Sequence, residues 1–526
     1  MEYFEPMTAV AIATSSQIAA DAGALIAEAG GNAVDAAIAA LLVSTVTEPG
    51  IVALGGGSFV TVWPPDGRPA TIDGYAEMPG RGLPADRFGE GVEVYLEYGG
   101  GLTTIVGHGS MATPGTLAAL ELASKRYGGL PWRVLFEPAG EHAREGFPLS
   151  QASYNYLIHS HELIYGWQQP SFAALHDVDG ELLQVGEIVR IEHLADCLLA
   201  IAEEGAAIFY KGEIGKMIAE DSLENGGILT RDDLVSFEPI ARASLNVPLG
   251  EWHLATNPPP AIGGAVLSVM LRLMGERRER DWTAAGIDHL IQVQRAVFEY
   301  RFGQLDLSED LERDVGRLLE ESTLDELRRR LSSPSTVHTS TVDSSGLACS
   351  ISSSTGYGAG VMPPGTGLWM NNFLGELELN RRGYHAWPPG VRLPSNMAPS
   401  VARRADGAAL AIGSPGADRI TTALSQVLVN FLDHALPLPE AVAHPRLHVE
   451  YPEGGGGGEG GGEGGGGGRP RVAYERGLPV GELDIDQRRF DDLSMFFGGV
   501  SAALWDPRGG FTVASDPRRQ GGNAIR

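Results

Sequence analysis

The chain has 526 residues, enough for two to four average domains or for one large layered α/β unit. With 43% hydrophobic and 20% charged residues it can bury a sizeable core, which excludes wholesale disorder. Its 39 basic and 67 acidic side chains leave a net charge of −28, which argues against nucleic acid or anionic membrane as a partner.

The N-terminal run Met-Glu-Tyr-Phe-Glu-Pro-Met lacks the basic end and apolar stretch of a signal peptide, and no segment approaches roughly 18 unbroken apolar residues. A cytoplasmic protein is expected. Residues 16–44 carry an Ala-rich helical pattern broken at Gly30-Gly31-Asn32, which predicts two helices, the second capped by Asn32 and Asp35. Gly55-Gly56-Gly57-Ser58 then feeds the β-rich run Phe59 to Trp63, where a sheet is expected to begin. Cys197 and Cys349 lie in apolar or small-residue surroundings and read as buried free thiols, with no cysteine-rich metal site.

Helical periodicity dominates from about 115 to 332, including 115–127, 190–204 and 284–303. Thr323-Leu324-Asp325-Glu326 reads as a capping box, and Arg328 to Arg330 suit the end of that helix near Leu331. Ser332-Ser333-Pro334-Ser335 follows as an extended linker, because the residue before a proline is pushed out of the helical region. From Thr336 the texture turns β-branched and Ser/Thr-rich, with strands expected at 337–342, 348–354, 408–412 and 500–505. Residues 454–468 hold only Gly and Glu and predict a disordered surface loop.

A threonine hydroxyl needs a base to become a nucleophile, and the α-amine of an N-terminal threonine can serve once cleavage frees it. The wider sequence supports that reading, because it resembles the γ-glutamyltranspeptidase family of N-terminal nucleophile hydrolases. The matching segments fall in the family's order along nearly the whole chain. They are Gly-Gly-Asn-Ala-Val-Asp-Ala-Ala at 30–37, Leu-Gly-Gly-Gly at 54–57, Thr-Pro-Gly-Thr at 113–116 and Phe-Tyr-Lys-Gly at 209–212. Then come Asn-Gly-Gly-Ile-Leu-Thr at 225–230, Pro-Pro-Pro at 258–260, Thr-Val-His-Thr-Ser at 336–340, Gly-Ser-Pro-Gly-Ala at 413–417 and Ala-Ser-Asp-Pro-Arg at 514–518.

The resemblance implies a four-layer αββα sandwich of α/β class and a precursor that cuts itself between Ser335 and Thr336. The products would be a large segment, 1–335, and a small one, 336–526, folded together as one intertwined unit. It implies Thr336 as nucleophile with its own amine as base, Ser354 in place of a family threonine whose hydroxyl bonds the nucleophile, and the amides of Gly416 and Ala417 as oxyanion donors. Since the family has Gly-Gly there, Ala417 must keep φ negative. His338 is expected to support its strand. Neither metal nor organic cofactor is implied.

In the substrate clamp the family's aromatic-Arg-Glu triplet corresponds to Tyr75-Ala76-Glu77, so the arginine that holds an α-carboxylate is absent. Asn371 to Glu376 matches the family's Asn-Asn-Gln-Met-Asp-Asp stretch: Glu376 replaces the ammonium-binding aspartate and Phe373 replaces an amide. A family asparagine falls at Gly356, and Ser395-Asn396 stand for paired serines. Only 18 residues separate Glu376 from Ser395, too few for the family's flap, which predicts an open pocket favouring hydrolysis over transfer. The expected activity is cleavage of γ-glutamyl amides such as glutathione. The alternatives are a related acylase on the same machinery and a silent homologue. The expected partner is a small-molecule amide, with association of the chain's own two fragments; a homo-oligomer is left open.

Overall fold

The structure is a computed structural model describing residues 8–84, 88, 91–97, 101–275, 282–323, 337–416, 419–451, 470–481, 483, 485–519 and 521–526. The capping box and helix end expected from 324 to 331, the 332–335 linker, Thr336 itself, Ala417 and the Gly/Glu run at 454–468 lie outside the described residues.

In chain order the strands of the two main sheets are β1 Val10–Thr14, β2 Gly57–Trp63, β3 Ala70–Gly74, β4 Ile240–Ala243, β5 Leu245–Leu249, β6 Trp252–Thr256 and β7 Val337–Asp343. They continue with β8 Ala348–Ser354, β9 Ser400–Arg404, β10 Ala409–Gly413, β11 Ser501–Asp506, β12 Gly510–Ser515 and β13 Gly522–Ile525. One sheet runs β13-β1-β7-β8-β2-β3-β4, the other β12-β11-β10-β9-β6-β5. The segments before and after position 336 are thus interleaved, with β7 antiparallel to β1 and β8 antiparallel to β2.

The sheets face each other across small side chains, among them Ala11, Ala348, Ala409, Ala411 and Ala503, which allow close approach. Polar groups in this interface are paired: Ser340 Oγ donates to Ser501 O at 3.0 Å and Ser350 Oγ to Ile412 O at 3.2 Å. On the outer face of the first sheet lie α1 Gln17–Glu28, α2 Ala33–Thr47 and α3 Thr116–Tyr127; on the outer face of the second lie α4 Ile262–Gly275 and, later in the chain, the helix Ile420–Leu432. These layers make the expected αββα sandwich. Every residue of α2 is buried, as its apolar composition on all sides requires. Asn32 caps it by accepting from Val34 N, and Asp35 returns the bond to Asn32 N at 3.0 Å, closing a capping box.

Four differences from the sequence reading have local causes. The sheet begins earlier, at β1, whose five residues are all buried and so lack the alternation that marks a half-exposed strand. The helix-rich middle also holds β4, β5 and β6. Pro248 sits in β5, the edge strand of its sheet, where a missing N–H is tolerated. The helix expected from 190 starts at Leu194, because His193 has φ +64°. The helix expected to reach 303 keeps its α form over Ala284–Tyr300 and widens into a π turn at Arg301–Leu305. Both cysteines are buried, as read, and burial pushes the Cys197 thiol up to about 12. Among the described residues no helix is long and apolar enough to cross a membrane.

Candidate active site

Thr336 and Ser335 precede Val337, which opens β7, so the described geometry defines what surrounds that strand's start. Val337 pairs with Ser353, and His338 with Ser352. His338 is 1% exposed, with Nδ1 2.9 Å from Ser352 Oγ and Nε2 2.7 Å from Ser340 Oγ. Because Ser340 spends its proton on Ser501 O, it accepts from Nε2–H, which leaves Nδ1 as acceptor from Ser352. Burial holds the imidazole down to about 3. A ring committed at both nitrogens and this weakly basic braces the strand, as the sequence suggested.

Gly413 sits against that ring, since any side chain at 413 would collide with it. The turn that follows β10 is thereby brought to the start of β7. Gly416 has φ +132°, and a Cβ there would lie 2.6 Å from Gly498 Cα. Gly498 reciprocates: its own Cβ would meet Ser414 Oγ at 2.8 Å and Pro415 O at 2.9 Å. Ser414 Oγ accepts from Gly499 N at 3.2 Å, pinning the two loops together.

Ser354 ends β8 one residue past the partner of Val337, and its Oγ accepts from Gly356 N at 3.0 Å. Opposite Ser354 stands Gly57, where a Cβ would meet Tyr75 Cδ2 at 3.0 Å and Phe373 Cε2 at 3.3 Å. Gly56 and Gly57 thus let the Ser354 carbonyl and two aromatic rings approach the strand, while Gly55 admits the Trp369 carbonyl and Met370. Tyr75 stacks on Phe59 with centroids 5.5 Å apart and meets Phe373 at 4.8 Å.

Gly356 lies against Glu376: a Cβ there would sit 3.0 Å from its Cδ and 3.1 Å from Oε2. Asn372 holds this corner with Oδ1 accepting from Tyr357 N at 2.7 Å and Nδ2 donating to Thr104 Oγ1 and Ile105 O, both at 3.0 Å. The Tyr357 hydroxyl donates to Glu378 Oε1 at 2.6 Å. Burial, then the neighbouring Glu378 charge, pushes the Glu376 carboxyl well above the usual range. Ser395 reaches the Tyr75 hydroxyl from the other side. Its carbonyl accepts from Ile262 N at 2.9 Å, joining the corner to the start of α4, and Asn396 is buried with Oδ1 unpartnered among the described residues.

So Ser354, Gly356, Phe373, Glu376 and Ser395 converge around Tyr75, while Gly416 joins His338 at the strand start. Ala76 is fully buried and contributes a backbone carbonyl to Leu393 N at 3.0 Å. Arg392, the guanidinium paired with Glu77 of the altered triplet, stands outside every motif read in the sequence. It is spent on Glu77 at 3.0 Å and Asp73 at 3.5 Å, on the carbonyls of Tyr75 and Glu238, and on the face of Phe237. Glu378 and Tyr357 were also missed, because they lie outside the motifs that carry the resemblance.

Residues 19–525 match the family model described as Gamma-glutamyltranspeptidase. The chain belongs to the gamma-glutamyltranspeptidase family. A glutathione hydrolase proenzyme of Pseudomonas aeruginosa is 30% identical over 471 residues, covering 83% of this chain and 82% of that protein. An acylase ACY 1 proenzyme from a Pseudomonas species is 28% identical over 466 residues, covering 84% and 82%. The solved structure of a cephalosporin acylase from Bacillus halodurans superposes with a TM-score of 0.80 at 24% identity, covering 100% of this chain and 98% of that one. The fold is that of the N-terminal nucleophile hydrolases, and this gamma-glutamyltranspeptidase-family protein is an enzyme.

Proposed function

We propose that the enzyme cleaves γ-glutamyl or closely related acyl amides through an acyl ester on Thr336, after cutting itself between Ser335 and Thr336. The observation that carries this is the interlocked Gly416–Gly498 turn, held by His338 at the start of β7. With His338 neutral and committed at both nitrogens, the amine of Thr336 is the base left for its own hydroxyl. The hydroxyl attacks the amide carbon, the amine takes its proton and passes it to the leaving nitrogen, and water then opens the ester. Amides of Gly416 and Ala417 serve the developing oxyanion. Ser354 supplies a hydroxyl next to the nucleophile. Intact-mass measurement with N-terminal sequencing tests this: a fragment starting at Thr336 is expected, and an uncleaved chain that still hydrolyses amides overturns it.

A second reading, an acylase taking donors without an α-carboxylate, is favoured by one specific observation. Arg392 is held by Glu77, Asp73 and backbone carbonyls, so it does not replace the guanidinium missing at Ala76. Comparing γ-glutamyl and 4-aminobutanoyl anilides separates the two, since the second keeps the ammonium that Glu376 would hold and lacks only the α-carboxylate: a clear preference for the first overturns the acylase reading.

A further inference from the structure

The hairpin of Val92–Leu96 and Leu102–Val106 belongs to neither main sheet, and a two-stranded ribbon alone is marginal in water. Its polar anchors lie at the corner that carries Glu376. Val94 pairs with Thr104 in its register. Leu96, Thr104 and Val106 are buried against the molecule, whereas Val92 and Tyr95 are exposed. A Cβ on Gly375 would collide with Ile105 O, so the residue before Glu376 packs backbone to backbone on the hairpin. Just past the hairpin, Gly107 N donates to Ala359 O at 2.8 Å.

Thr104 is the hydroxyl at this contact. Its Oγ1 donates to Gly375 O at 2.8 Å and accepts from Asn372 Nδ2 at 3.0 Å, so its two partners set the direction of its proton. Thr104, Asn372 and Gly375 are all buried, and Thr104 and Gly375 are 271 residues apart in sequence. Asn372 carries the contact onward: its Oδ1 accepts from Tyr357 N at 2.7 Å, and a Cβ on Gly356 would strike that same oxygen. Glu376 is thus clamped from two directions. Its carboxyl lies against Gly356, while its backbone is fixed by Gly375 on Thr104 and by Asn380, which donates to Glu376 O at 3.1 Å. Asn380 follows Glu376 on the same connection, whereas Thr104 comes from the other side of position 336.

We propose that Thr104 is a positioning residue for acyl recognition: its hydroxyl fixes the Gly375 peptide, and through it the aim of the Glu376 carboxyl at the ammonium of the acyl group. A carboxylate holds an ammonium through short charge-assisted hydrogen bonds, which weaken steeply as distance and angle depart from the optimum. A glutamate side chain turns about several bonds, so its aim is set by its backbone and by what walls it in. The hairpin therefore supplies, from the segment before position 336, part of the selectivity of a residue that follows it. Thr104→Val keeps the shape but leaves Gly375 O and Asn372 Nδ2 each one partner short in a buried corner, which loosens the turn that carries Glu376.

This rests on Glu376 holding an ammonium within the amide-cleaving reading, and the test separates the two. Calorimetric titration of the intact protein with L-glutamate and with glutarate needs no turnover, and only the first carries the ammonium. Wild type should bind glutamate about tenfold tighter or better. Thr104→Val should cut that preference about threefold or more, and Thr104→Ser, which keeps the hydroxyl, should retain most of it. In a Glu376→Gln background Thr104→Val should cost glutamate no further affinity, whereas independent effects would add. Thermal melting verifies folding, and Thr104→Ala is read if the valine variant fails to fold. Equal or absent binding of the two ligands by wild type, undiminished preference in Thr104→Val and Thr104→Ala, or a full further loss in the Glu376→Gln background overturns the proposal. In parallel, γ-glutamyl and glutaryl anilides are assayed: Thr104→Val should raise KM for the first about threefold or more with kcat within about twofold, and leave the second unchanged. If wild type cleaves neither anilide, the amide-cleaving reading fails, while the titration still reads Thr104.

Discussion

The two flanks of the site differ in how much change they tolerate. At the strand start, Gly413, Gly416 and Gly498 each occupy a place where one added carbon would strike a ring or a backbone. At the proposed acyl cluster, Ala76, Phe373 and Gly356 stand where the resemblance implies an arginine, an amide and an asparagine, and the corner is built around Tyr75, Tyr357 and Glu378. On the proposed function, reaction chemistry depends on backbone fit, whereas acyl recognition depends on side chains that can be exchanged singly. The same fold can therefore keep one reaction and change its donor.

The largest effect should come from the flank that cannot vary. Thr336→Ala should leave a single uncut chain of 55.7 kDa and lower kcat by at least about 10³-fold, read by intact mass and amide hydrolysis. Gly416→Ala should cost about 10²- to 10³-fold in kcat, as for loss of an oxyanion donor, with KM little changed. A Gly416→Ala enzyme with wild-type kcat would break the comparison outright.

On the variable flank, Arg392→Ala should destabilise by about 1.5–3 kcal/mol, because it removes one of two arginine partners from each of buried Asp73 and Glu77, which keep Arg242 and Arg81, yet leave relative KM values for different donors unchanged. A selective rise in KM for γ-glutamyl donors would instead make Arg392 the carboxylate clamp. Glu376→Gln should lower kcat/KM for an ammonium-bearing donor by about tenfold or more and hardly affect a glutaryl one. Because burial and Glu378 raise the Glu376 carboxyl, the wild-type preference for the ammonium donor should grow as pH rises through that raised value. The same raised carboxyl favours the protonated fold, so Glu376→Gln should gain stability over wild type above pH 4.5.

The layers, the capped α2 and the strands from 337 onward were legible because each rests on local signals: Asn32 with Asp35, turn glycines and β-branched runs. The reaction class was legible from ordered motifs. What escaped was set by tertiary packing. Arg392 becomes a structural cation only when β3 and the segment before β9 bring Asp73 and Glu77 to it. Arg518 and Arg519 are indistinguishable in sequence, yet among the described residues the Glu475 and Asp516 carboxylates bond the guanidinium of the first alone. The interval from Glu376 to Ser395 is 18 residues long. Asn380, donating to Phe373 O at 2.7 Å and Glu376 O at 3.1 Å, ties the first part of that connection to the cluster.

The smallest effect concerns the brace between the flanks. His338 is neutral in the fold, with a value near 3, and ordinary in the unfolded chain, near 6.5. Between those values the unfolded chain binds the extra proton, so stability falls as pH drops below about 6.5, by up to about 1.4 kcal/mol per pH unit from this group, and is fully present above it. Denaturant titrations of wild type and His338→Asn at pH 7, 6 and 5 isolate this slope. The variant loses the ring's contacts with Ser340 and Ser352 at every pH, yet its stability should decline less steeply with acid. Parallel declines would mean that the acid sensitivity lies elsewhere and that His338 is not the neutral brace on which the choice of the Thr336 amine as base depends.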